Sequence, residues 1–217
     1  MTDIVIYDCM GTLQGSPMAV WADRRFRTHN NESAADFQKS HPGPYVMYDG
    51  MADLVRYTSR FTKNILLSSG NPAAEGCPEL LKLKHYFSNW KYDGKVVPWG
   101  QTPCQMFKND PRIAQALVQQ FQPTRVVVIG DALEDFDGAC NFPFFMRKLQ
   151  PVISAPMVVA FIRRGLKIES CVDSPVPVIA LPVASEMMKI IEKIFQSPHF
   201  PSATIKKIMT KNHQLEC

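Results

Sequence analysis

The sequence lacks the marks of export, of membrane insertion and of a metal- or disulfide-stapled scaffold. Its start, MTDIVIYDCM, has an acidic residue at position three and only a short β-branched run. A secretory leader needs a basic start and a longer apolar core, so these residues read as a strand. No apolar stretch approaches the roughly 18 uninterrupted residues that a membrane span requires. The six cysteines (Cys9, Cys77, Cys104, Cys140, Cys171, Cys217) show no C-x-x-C spacing. Their scatter argues against a zinc site or a disulfide framework and for reduced thiols, so a cytoplasmic protein is expected. The net charge of +4 is too small to point to nucleic acid, and favours phosphate-bearing ligands only mildly. There is no internal repeat. What is present is an ordinary globular composition, 46% hydrophobic and 20% charged over 217 residues. That length suits one domain able to bury its own core.

Three aliphatic runs each stop at a polar, glycine-bearing turn: IVIYDCMGT from Ile4, NILLSSGNP from Asn64 and RVVVIGDALED from Arg125. Continuous apolar runs fit strands buried on both faces of a parallel sheet. Between them, MADLVRYTSRF from Met51 and RIAQALVQQF after Pro111 carry helical spacing of apolar residues. Alternating strands and helices predict an α/β fold with a doubly wound parallel sheet. The polar stretch of about 13–44, which holds Trp21, Phe26 and Phe37, interrupts that rhythm and reads as a small cap insertion after the first strand. The Pro- and Val-rich segment 150–177 is expected to add a strand or two, and SEMMKIIEKIF from Ser185 a closing helix. The core is thus expected over residues 1–196, with a basic, partly mobile tail at 197–217.

In open α/β sheets, ligands bind at the carboxyl ends of the strands. Each of the three runs ends there in residues suited to phosphate and metal chemistry. Asp8 follows the first strand and could attack phosphorus. Gly11 would turn the backbone sharply, and Thr12 completes D-x-x-G-T. The second strand delivers Ser68, Ser69, Gly70 and Asn71, whose hydroxyls and turn could face a phosphoryl oxygen. Lys108, just ahead of the Pro111 helix, could neutralise developing charge. Asp131 and Asp135 follow the third strand and, with Asp8, would offer oxygen ligands to Mg²⁺. Each feature alone has an ordinary reading as a turn, a strand end or a solvated lysine; the order of all four is the informative signal.

That order resembles the four motifs of the haloacid dehalogenase superfamily, over about Asp3 to Asn141. LLSSGNP followed by ELLKLKHYF resembles the family's second-motif region, and KNDPRIAQAL its K-P-x-P-x-I helix. The resemblance implies a hydrolase with Asp8 as nucleophile and magnesium ligand. It implies that Ser69 and Lys108 hold the phosphoryl group, with Gly11, Thr12, Gly70 and Asn71 around it. It further implies that Asp131 binds the metal, Asp135 supports it or the lysine, and the backbone carbonyl of Met10 faces the ion.

The sequence departs from that pattern at Met10, where phosphatases of this kind usually carry a second aspartate as general acid–base. A thioether cannot move a proton, and losing such a group typically costs on the order of 10²–10⁴ in rate. Asp23, His29, Glu32 and His41 in the insertion are candidates for a replacement. Leaving groups of low pKa need least protonation, so aryl phosphates such as phosphotyrosine would suffer least. A small cap would suit an accessible macromolecular phosphate, such as a phosphoprotein, as well as a small metabolite. Phosphonate or carbon–halogen hydrolysis, and a binding protein that kept the fold, stay open as alternatives. Cys9, Trp90 and Trp99 read as packing residues near the site, and Lys206, Lys207 and Lys211 as a solvated face.

Overall fold

Ile4, Val5, Ile6 and Tyr7 of the first aliphatic run are all buried because layers cover both sides of the sheet they found. The computed structural model describes residues 2–28, 31–69, 76–97, 99–103, 106–152, 157–162, 176–180 and 183–196. In chain order the elements begin with β1 (Ile4–Tyr7), β2 (Gln14–Gly15), α1 (Pro17–Thr28), α2 (Ala34–Ser40), β3 (Val46–Met47), α3 (Met51–Thr58) and β4 (Lys63–Ser68). They continue with α4 (Pro78–Lys82), β5 (Lys91–Tyr92), β6 (Lys95–Val96), β7 (Gly100–Gln101), α5 (Pro111–Phe121) and β8 (Arg125–Gly130). Then come α6 (Leu133–Leu149), β9 (Met157–Ile162), β10 (Val178–Ala180) and α7 (Ala184–Gln196).

The main sheet has six parallel strands in the order β10-β9-β8-β1-β4-β7. Side chains alternate across it. Val5, Tyr7, Leu66, Val127 and Ile129 pack with Leu54 and Val55 of α3 and Met187 and Ile191 of α7. Ile4, Ile6, Ile65, Leu67, Val126 and Val128 pack on the opposite side with Ile113 and Leu117 of α5 and Phe136 and Phe142 of α6. The expected α/β fold is therefore what the chain adopts. The predicted helices after Pro111 and from Ser185 are α5 and α7; β9 lies within the segment 150–177 expected to add a strand, and β10 follows directly after it. Asp110 starts α5 by accepting the Arg112 amide at 2.9 Å, with Pro111 in the first turn.

Residues 13–44 hold β2, α1 and α2, and β3, the antiparallel partner of β2, lies just beyond them. Phe37 is fully buried there, and the Trp21 indole donates to the Glu32 carbonyl at 2.8 Å. Arg24 reaches out of this segment to Asp49 with two bonds of 2.6 and 2.8 Å. The 197–217 tail lies outside the described residues. Among the described residues, no helix is long and apolar enough to cross a membrane.

Candidate active site

Register decides what meets at the sheet's carboxyl edge. Tyr7 pairs with Leu66 on one side and Ile129 on the other, so the residues after β1, β4 and β8 emerge together. Asp8 stays tied to the sheet, its amide donating to the Ile129 carbonyl at 2.9 Å. Gly11 then takes a left-handed backbone, φ +79°, and a Cβ built there would lie 1.9 Å from Asp131 Oδ2. Only glycine lets the two loops approach so closely. Thr12 is buried and its hydroxyl donates to Asp8 Oδ2 at 3.3 Å, a long bond.

Lys108 comes from the loop before α5, a hundred residues from Asp8. Its ammonium lies 2.7 Å from Asp8 Oδ1 and 2.9 Å from Asp135 Oδ1. The other oxygen of Asp135 accepts the Asp131 and Ala132 amides, each at 3.2 Å, at the start of α6. Those bonds, and the positive end of the helix, hold the carboxylate in a fixed orientation. Asp8, Asp131 and Asp135 each present an oxygen within 4.8 Å of the other two.

Asp8, Asp135 and Lys108 are all buried, and charge there is costly. Burial, then the Asp135 carboxylate, pushes the Asp8 carboxyl up to about 7, against the pull of Lys108. Burial alone would lower the Lys108 ammonium, but Asp8 and Asp135 together outweigh it and hold it above its ordinary value. One ammonium set among three clustered carboxylates, two of them buried, leaves excess negative charge that a further cation would offset. An all-oxygen donor set fits a hard divalent metal ion.

The structure thus brings together Asp8, Gly11, Thr12, Lys108, Asp131 and Asp135. Ser69 stands one residue past β4 and is exposed, whereas its neighbour Ser68 is buried at the strand end. The described residues give Ser69 no hydrogen bond to the carboxylate cluster. Gly70 and Asn71 lie outside the described residues. Met10 is half-buried, and its thioether accepts from the Gln14 side-chain amide at 3.3 Å.

Of the residues considered as a replacement acid, Asp23 pairs with Arg27 at 2.9 Å, and Glu32 lies 3.9 Å from Arg24. His41 stacks on Phe37 with centroids 4.1 Å apart, its Nδ1 lying 2.9 Å from the Phe37 carbonyl. These partners belong to the same segment as the candidates themselves. His29 lies outside the described residues. Cys9 and Trp90 are buried in the core, and Trp99 packs on Phe87.

Gln14 has no counterpart in the sequence reading. It is fully buried, and its carbonyl Oε1 accepts the Cys77 amide at 2.8 Å while Nε2 holds Met10. Its main-chain oxygen accepts the Gly11 amide at 2.8 Å. Gln14 therefore ties the turn after Asp8 to the start of α4. Its partner is 63 residues away, so no local pattern signals it.

A family model described as haloacid dehalogenase-like hydrolase matches residues 17–141, more than half of the chain. The match takes in Lys108, Asp131 and Asp135 and begins after the Asp8–Thr12 turn. A haloacid dehalogenase-like family hydrolase from Streptococcus pneumoniae has a similar fold, with a TM-score of 0.51 and 12% identity, over 88% of this chain and 98% of that one. The DsGPDH protein of Dunaliella salina overlaps more loosely, with a TM-score of 0.41 and 16% identity, over 87% of this chain and 36% of that one. No curated protein matches the chain.

Proposed function

The chain belongs to the haloacid dehalogenase-like hydrolase family, and we propose on that basis that it is a Mg²⁺-dependent phosphohydrolase with Asp8 as its nucleophile. The observation that carries this reading is the sharing of Lys108 between Asp8 and Asp135, with Asp131 close enough to complete a cation site. Asp8, Asp131 and Asp135 would hold the ion, with the Met10 carbonyl as a further ligand. When bound, the ion would supply positive charge against the phosphoryl oxygens.

Asp8 attacks phosphorus through a carboxylate oxygen, and the ester oxygen leaves with the bonding pair. An aspartyl phosphate on Asp8 results, which water then hydrolyses to regenerate the carboxylate. Lys108 balances charge on the transferring group from a fixed position, so no reorganisation is needed at the moment of reaction. Thr12 steadies Asp8. Ser69, Gly11, Gly70 and Asn71 are assigned to the phosphoryl group, as in the family pattern.

Met10 sets the substrate preference. With no proton donor there, departure depends on the leaving group's own acidity, which favours aryl phosphates, phosphotyrosine among them, over alkyl esters. The small segment 13–44 is read as a minimal cap that suits an accessible phosphate on a macromolecule. Dehalogenation does not need a metal, so the clustered carboxylates favour the phosphate reading over it.

The test is turnover of p-nitrophenyl phosphate with Mg²⁺ and with chelator, wild type beside Asp8→Asn. Activity that requires the metal and disappears in Asp8→Asn is expected, with phosphotyrosine peptides turned over faster than phosphoserine peptides. Equal turnover of the two peptides would sink the leaving-group argument. No turnover of any phosphate ester would favour phosphonate hydrolysis or a binding role.

A further inference from the structure

We propose that Asn141 is the positioning residue that sets Lys108 between the carboxylates. Lys108 and Asn109 form a turn ahead of α5, closed by the Asp110 amide donating to the Phe107 carbonyl at 3.0 Å, and no strand or helix ladder fixes that turn in the fold. The Lys108 side chain must nevertheless meet two acceptors at 2.7 and 2.9 Å. A long, flexible side chain does so only if its Cα is held in place.

Helix α6 provides the hold. The Asn141 side-chain amide donates to the main-chain oxygen of Asn109, the next residue after Lys108, at 3.0 Å. It also donates within its own helix to the Asp137 carbonyl, at 3.3 Å, which restrains its rotamer. One turn earlier, Gly138 lets the same loop lie against the helix: a Cβ there would sit 3.3 Å from the Lys108 carbonyl oxygen and 3.6 Å from Asn109 Cα. At the front of that helix, Asp135 receives the ammonium. Asp135, Gly138 and Asn141 recur every three residues, so they climb one side of α6. A single rigid helix thus carries both the acceptor of the lysine and the clamp on its loop. The alternative, that Asn141 only adds stability, makes no demand on Lys108.

Two measurements separate these. The first is independent of activity: the rate at which an amine-reactive acetylating reagent labels Lys108, followed by peptide mass spectrometry against exposed Lys91 and Lys95. Lys108 is expected to be protected in the wild type. Asn141→Asp keeps the shape, removes the donor and sets a carboxylate against the Asn109 carbonyl. Labelling of Lys108 should then rise about tenfold or more, the reference lysines staying constant. Gln150→Ala is the control: it removes a comparable bond, Gln150 to the Pro123 carbonyl at 3.2 Å, from the other end of the same helix. It should lower the melting temperature without exposing Lys108.

The second measurement rests on the phosphohydrolase reading. A misplaced catalytic group costs up to on the order of 10² in rate, so Asn141→Asp should lower kcat for p-nitrophenyl phosphate at least tenfold with KM nearly unchanged, whereas Gln150→Ala should leave kcat alone. Labelling of Lys108 at the wild-type rate in Asn141→Asp would overturn the proposal. If that variant does not fold, Gly138→Ala pushes on the same loop and is read in the same way. A wild type that turns over no phosphate ester would remove the proposed reaction, and the labelling rates would still decide the role of Asn141.

Discussion

As the proposed nucleophile, Asp8 carries two opposed demands: a nucleophile must be anionic, yet its surroundings favour the neutral acid. The carboxyl rises from 3.8 to about 7 on folding without a cation. A raised acid contributes stability that is whole below its unfolded value and is lost as pH climbs through the folded one. The cation-free protein should therefore melt at progressively lower temperature between about pH 4 and pH 7, by this linkage. If Mg²⁺ occupies the site as proposed, it would bind the anionic form, so the rise in melting temperature on adding it should be larger at pH 8 than at pH 5. Thermal melts at both values, with Mg²⁺ and with chelator, check this; equal shifts would contradict it. Gly11 makes a separate residue-scale prediction. Gly11→Ala costs about 1–2 kcal/mol for its left-handed backbone alone, and its new methyl would run into Asp131. Calorimetric titration should find Mg²⁺ affinity lost, along with a lower melting temperature.

Elements hold the site still. Helix α3 is joined to β4 by a buried polar group, Asn64, whose amide donates to the Val55 carbonyl at 2.8 Å. Its oxygen accepts from the Thr58 hydroxyl at 2.9 Å and the Thr62 hydroxyl at 3.2 Å. The Tyr7 hydroxyl lies 2.7 Å from that of Thr58, so the network reaches the strand that delivers Asp8. Removing one member leaves buried groups unpaired, at a cost of about 1–3 kcal/mol. Asn64→Ala is expected to lose that much in urea denaturation, with an unchanged m-value if the unfolded state is unaffected. Nothing local in NILLS announces this role, because the partners of Asn64 lie on the preceding helix and turn.

On the scale of the molecule, α7 closes one face of the sheet. Arg125, the first residue of β8, donates through Nη1 to the carbonyls of Ile194, at 3.4 Å, and Phe195. A cation at the carboxyl end of a helix satisfies orphan carbonyls and complements the helix dipole. Arg125→Met should cost about 1.5–3 kcal/mol, as for hydrogen bonds to a charged group. Amide exchange should quicken in the last turn of α7, with β1 and β4 still protected. Uniformly faster exchange across the sheet would show instead that the arginine supports the whole fold.

Much of this was legible in the chain itself. The stretches Ile4–Tyr7, Ile65–Leu67 and Val126–Ile129 are continuously apolar, and such runs need cover on both faces, which predicts a parallel sheet between helix layers. Asp8, Asp131 and the turn at Gly11 were readable because strand ends in such sheets share an edge. Lys108 was readable as a candidate, and Asp135 as a support for it or for the metal, but the direct pairing of Lys108 with Asp8 was not, since the lysine's loop follows no periodic pattern. The tertiary structure decided the contacts made across long stretches of chain. It placed Ser68 inside and Ser69 outside, tied Gln14 to Cys77, and set Asn141 against the loop of Lys108. Periodicity records which face of an element is buried; it does not record which buried donor finds which acceptor, because that depends on how separate elements pack.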